Sequence, residues 1–101
     1  MSLDQLRAVV TIAEEGTVVR AARRLHISQP PLTRKVRALE DEIGVTLFDR
    51  DVRGMRVTAA GELFLTSARV ILAEVEDVTA RMRTSAPGTD FATQPSRRQA
   101  R

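Results

Sequence analysis

The chain is 101 residues long, 43% hydrophobic, with 16 Lys and Arg against 13 Asp and Glu and a net charge of +3. Such a chain suits one small domain with an extension; it is too apolar to be disordered throughout, and its positive excess points to an acidic partner, nucleic acid first. The lack of cysteine excludes disulfides and thiolate metal sites, His26 cannot form a zinc site alone, and no apolar run approaches the roughly 20 residues of a membrane helix. The start, MSLDQLRAVV, has no basic lead before a long apolar core, so it does not read as a signal peptide. The expected location is the cytoplasm, on the nucleoid when bound to DNA.

Ser2 and Gln5 have the S-x-x-Q spacing of a capping box. Leu3, Leu6, Val9, Val10 and Ala13 follow at helical spacing, which predicts a first helix over about 3–15, ended by Gly16. Thr17 is suited to cap a short second helix, about 18–25, with Val18, Ala21, Ala22 and Leu25 inward. A brief turn follows, His-Ile-Ser, with Ile27 tucked in and His26 at the helix end.

SQPPLTRKVRALEDEIG then reads as a third helix, over 28–43. Ser28 is a good N-cap residue, and proline is tolerated in a first helical turn. Leu32, Val36, Leu39 and Ile43 make one apolar stripe, and Gly44 is a stop. Val45, Leu47 and Phe48, then DRDVRGMRVT, predict a two-stranded ribbon near 46–49 and 55–58 around a basic tip at Arg53-Gly54.

Thr58 caps a long last helix, about 59–84, whose Phe64, Ala68, Ile71, Val75, Val78 and Met82 are spaced 4-3-4-3-4. That is the a/d seam of a helix that pairs with another, widened by Leu65 and Leu72, and it is expected to be a dimer surface. The Pro-, Gly-, Ser- and Gln-rich stretch 85–101 reads as a disordered tail.

Three helices and a ribbon, with a tight turn before the third helix, are the parts of a winged helix-turn-helix on a dimerisation helix, a mainly α fold. The expected organisation is a DNA-binding domain over 1–58, a linker and dimerisation helix over 59–84, and the tail. Charge placement supports DNA as partner. Residues 16–37 carry six basic residues and no acid, while Glu40, Asp41 and Glu42 sit at the far end of the third helix. A helix that docks by its N-terminal half needs that polarity.

Functional groups suggest roles. Gln29 can pair with adenine in the major groove, and Arg34 with guanine or a phosphate. Pro30 and Pro31 offer apolar surface to a thymine methyl. Thr17, Ser28 and Thr33 can bond phosphate oxygens, helped by helix N-termini at Thr17 and Ser28. Arg20 and Arg37 are further candidates, and Arg53 can reach a neighbouring groove or backbone. Arg23 and Arg24 read mainly as a solvated face. No Ser/His/Asp, Cys/His or metal set and no phosphate-binding glycine loop occurs, so neither enzymatic activity nor a cofactor is expected.

AARRLHISQPPLTRKVRALEDEIGVTLFDR followed by VRGMRVTAAGELFL resembles the DNA-binding domain of LysR-type transcriptional regulators. The pattern A-A-x-x-L-x-x-S-Q-P-x-L-[ST]-x-x-[IV]-x-x-L-E-x-x-[LI]-G-x-x-L-F-x-R maps onto Ala21 through Arg50, and R-G-x-x-[LV]-T-x-A-G onto Arg53 through Gly61. The resemblance implies a bacterial regulator that binds an interrupted palindrome as an antiparallel dimer, with Gln29, Pro30, Pro31, Thr33 and Arg34 at the groove and Arg53 on the wing. Family members usually carry an aromatic where this chain has Val18, and often alanine at Pro31 and serine at Thr33. They also continue into an effector domain, which this chain does not resemble, so no small-molecule effector is expected on it. The alternative expectation is a dimerisation module that pairs with a full-length paralogue and blocks it.

Overall fold

The computed structural model describes residues 1–51 and 54–85. The expectations for Arg53 at the wing tip and for the tail beyond Ser85 lie outside the described residues. Four helices and two strands follow in order: α1 (Leu3–Glu15), α2 (Val18–Leu25), α3 (Gln29–Ile43), β1 (Phe48–Asp51), β2 (Gly54–Val57) and α4 (Ala59–Thr84).

The local signals act at the helix ends. Ser2 and Gln5 form the reciprocal capping box, and the Gln5 amide also donates to the Lys35 carbonyl, tying α1 to α3. Gly16 ends α1 in the left-handed region at φ 85°, which a glycine adopts without strain. Thr17 and Thr58 cap α2 and α4 by accepting the N–H of Arg20 and of Gly61.

Ser28 departs from the expectation. It holds the N-cap position in extended backbone, yet its hydroxyl makes no capping bond. An N-cap oxygen accepts from the second or third helical N–H. In α3 those residues are Pro30 and Pro31, which have none. The same prolines leave the start of α3 with fewer free N–H donors than the start of α2.

Helix α1 is the centre of the core and packs on α2, α3 and α4. Ala8, Thr11 and Ile12 are buried as well as the expected Leu6, Val9 and Val10, because α1 has neighbours on several sides; Leu3 lies outside, exposed. Ile12, Leu32, Leu39 and Leu47 are fully buried where α1, α3 and the segment before β1 meet.

The strands pair antiparallel, Phe48 with Val57 and Arg50 with Met55. Strand β1 starts two residues later than the sequence suggested. The Leu47 and Phe48 N–H groups donate instead to the Glu40 carboxylate, at 2.7 and 3.3 Å, and the Leu47 carbonyl accepts the Thr58 N–H. Residues 46 and 47 are thus tied to α3 and to the start of α4 rather than to a strand. Met55 also donates to the Gly16 carbonyl, which seats the ribbon on the turn between α1 and α2.

The seam divides. Ala68 is buried in the chain's own core with Leu65, and Phe64 is half-buried against it. These two positions of the expected dimer surface belong to the domain. Of the other seam positions Val75 is half-buried, while Ile71, Val78 and Met82 are 41%, 47% and 50% exposed.

Val18 joins Ile12, Val36, Phe48 and Met55 on the apolar floor of a cleft of about 370 Å³ between α3 and the ribbon. Valine is smaller than the aromatic that the resemblance leads one to expect here, and the cleft leaves room beside it. Val18→Phe is expected to stabilise the fold by about 1 kcal/mol, as cavity filling commonly does. In a domain of this size that is a rise of about 4–8 °C in Tm by calorimetry. A lowered Tm would mean the cleft does not admit the ring.

Candidate nucleic-acid interface

Helix α3 turns its buried stripe, Leu32, Val36 and Leu39, toward α1. At about 100° per residue, Pro30 and Arg34 then fall on the crest opposite that stripe. Gln29, Thr33 and Arg37, at four-residue spacing, form the edge toward the ribbon. Thr33 and Arg37 line the cleft with Phe48, Arg50 and Met55. Gln29 and Thr33 line a second depression with Thr17, Val19, Arg50 and Gly54. Thr17, Gln29, Thr33 and Arg37, taken from two helices, therefore share one surface that runs onto the ribbon. Ser28, Gln29, Pro30 and Arg34 are exposed, whereas Pro31 lies about 100° round from Pro30 and is half-buried.

The charges sort into two groups. The Arg24 guanidinium donates to Glu14 at 2.7 Å and to Glu15 at 3.2 Å, and Arg20 lies 3.6 Å from Glu15. Hydrogen bonds to Glu14 first and Glu15 second hold Arg24 above the usual guanidinium range. Arg20 thus has one acid, Glu15, within ion-pair distance at the end of α1. Arg34 and Arg37, by contrast, have no ion pair among the described residues. Their charge is left for an external anion.

Two features were missed in the sequence. Arg50, exposed on β1, lines both depressions and adds a cation beside Thr33. Its signal was the last residue of the L-F-x-R run. Glu40 was read as an acid kept away from phosphates; its carboxylate is a structural acceptor for two backbone N–H groups. No group of three or more metal-ligating side chains occurs among the described residues, and no described helix is long and apolar enough to cross a membrane.

Helices α2 and α3 with the antiparallel ribbon make this a winged helix-turn-helix DNA-binding domain. The chain belongs to the lysR family of bacterial regulatory helix-turn-helix proteins, whose model matches residues 3–62. It is 50% identical over 88 residues to the HTH-type transcriptional regulator ClcR of Pseudomonas putida, covering 87% of this chain and 30% of that protein. Among solved structures it is similar to the CbnR DNA-binding domain in complex with DNA, at a TM-score of 0.78 and 45% identity, over 84% of this chain and 98% of that one. It is also similar to the BenM DNA-binding domain with catB site 1 DNA, at a TM-score of 0.83 and 35% identity, over 87% of this chain and 98% of that one. The chain spans about 30% of the length of ClcR and about 39% of TfdT, another HTH-type transcriptional regulator.

Proposed function

We propose that this chain is the DNA-reading part of a LysR-type transcriptional regulator that binds an interrupted palindrome as a dimer. Helix α3 enters the major groove by its N-terminal half, and the ribbon meets the adjacent groove or backbone. The observation that carries this reading is the exposed surface of Gln29, Pro30 and Arg34, with Thr33 at its edge and no acid paired to Arg34 among the described residues. Gln29 pairs with adenine, Arg34 with guanine, and Pro30 rather than the half-buried Pro31 meets a thymine methyl. Ser28 has no helical donor to accept from, so its hydroxyl is available to a phosphate, with Thr17 and Arg37 as further backbone contacts.

Dimerisation falls to the outer half of α4. The helix has 26 residues, about 39 Å at 1.5 Å per residue, and its own domain covers the half that ends near Leu72. Ile71, Val75, Val78 and Met82 are left as the seam for a second copy.

The test is a titration of the 101-residue chain with duplex from upstream of its own gene and with scrambled duplex, at two salt concentrations. Preference for the native duplex that persists at higher salt is expected, since nonspecific binding collapses as salt rises. Arg34→Ala should lose about 1–3 kcal/mol on the specific duplex and less on the scrambled one. Equal losses would reduce Arg34 to a phosphate contact. Equal, salt-sensitive binding of the unaltered chain to both duplexes would overturn specific recognition and favour pairing with a full-length paralogue.

A further inference from the structure

Val19 is the large apolar side chain that the fold leaves in water on the surface it shares with Thr17, Gln29 and Thr33. It is 46% exposed, on a helix whose inward residues are Ala21 and Ala22. The other exposed large apolar residues among those described lie on α4, at the start of α1, or at Val45 after α3. Val19 and Gln29 together line two depressions at the mouth of α2 and α3: the one already described with Thr17, Thr33 and the ribbon, and a third with Arg23, Ile27, Ser28 and Pro30. Gln29 therefore shares one depression with two apolar groups, the Val19 isopropyl and the Pro30 ring.

The capping geometry fixes this placement. Thr17 caps α2 through the Arg20 N–H, which sets the first turn. Arg20 and Arg24 then point to Glu14 and Glu15, and Val19 and Arg23, four residues apart, occupy the edge toward the start of α3. An isopropyl group has no hydrogen-bonding role at a base edge. The apolar feature that a base pair offers in the major groove is the C5 methyl of thymine.

We infer that Val19 is a specificity-determining residue that reads the C5 methyl of a thymine next to the base contacted by Gln29. This rests on the proposed entry of α3 into the major groove. Discrimination at that position comes from α2, outside the recognition helix, and is distinct from any methyl contact made by Pro30.

The experiment starts from the duplex that the unaltered chain enriches from a random-sequence pool. Each thymine in its half-sites is replaced by uracil, which removes the methyl and keeps every hydrogen-bonding group. At one thymine per half-site, distinct from any that Pro30 contacts, the change should weaken binding by about fivefold, as expected for one lost apolar contact. Val19→Ala should bind the thymine duplex as weakly as the unaltered chain binds the uracil one, and lose less than about twofold on uracil replacement, since the shared contact is already gone. Val19→Thr, which keeps the shape, should fall between them. Equal uracil costs for the unaltered chain and Val19→Ala at every thymine would overturn the inference and leave the methyl contact to Pro30. Failure of the unaltered chain to enrich any sequence would instead overturn the proposed function on which the inference rests. Because Val19 is exposed, thermal melting of each variant should match the unaltered chain.

Discussion

Gly61→Ala is expected to destabilise the domain by about 2–4 kcal/mol, although alanine is the better helix former by about 1 kcal/mol. Gly61 is buried in the first turn of α4, and a Cβ there would run into the Leu47 carbonyl oxygen and come within 2.7 Å of Val57 Cγ1. Neither neighbour can retreat cheaply. Leu47 is fully buried, its N–H is held by the Glu40 carboxylate, and its carbonyl accepts the Thr58 N–H. Val57 pairs with Phe48 in the ribbon. Gly61 itself donates to Thr58 Oγ1 at 2.9 Å, so α4 cannot slide away without losing its cap. The methyl must separate three elements that meet at this point. In calorimetry, Tm should fall by about 10–25 °C for a domain of this size. A Tm equal to or above that of the unaltered chain would show that the backbone relaxes and that helix propensity wins.

Gly61 also marks how far the sequence could be read. Its place in the T-x-A-G run was visible, while the reason for glycine was not, because the obstructing oxygen belongs to a residue fourteen positions earlier. Helices were legible for the opposite reason. Ser2, Gly16, Thr17, Gly44 and Thr58 act on backbone groups within a few residues, so their signals sit beside the ends they set. Ser28 was legible in principle: two prolines in the next three residues remove the donors a cap needs. The ribbon shifted because residues 46 and 47 are bonded to Glu40 and Thr58, contacts that alternation of side chains does not encode. The same limit applies to charge. Arg20 and Arg34 look alike in the sequence, yet the fold gives one an acid from α1 and leaves the other exposed, with no ion pair among the described residues.

The heptad on α4 poses the hardest version of that problem, since a 4-3 spacing is the same whether the partner is the chain's own core or a second copy. Ala68 is buried in the core and Phe64 half-buried against it, so a test of dimerisation must fall outward of both. Ile71→Asp meets that condition, with a parent side chain 41% exposed. Thermal stability of the isolated chain should therefore change little. In a two-fold dimer the substitution appears twice, and each carboxylate left unpaired in an apolar seam costs about 3 kcal/mol or more. The dimer dissociation constant should rise by about ten-thousandfold or more, read by sedimentation equilibrium. Affinity for a duplex with two half-sites should fall toward that for one half-site, because the second no longer binds through a shared body. Val70→Asp is the matching control. Val70 is 61% exposed and lies about 100° round the helix from Ile71, away from the Val75–Val78–Met82 stripe. It should leave both dimer and palindrome binding intact. If Ile71→Asp stays dimeric, or if Val70→Asp disrupts as strongly, the seam runs along another face of α4. Loss of palindrome binding by Ile71→Asp with single half-site binding preserved would tie recognition to α3 and spacing to α4.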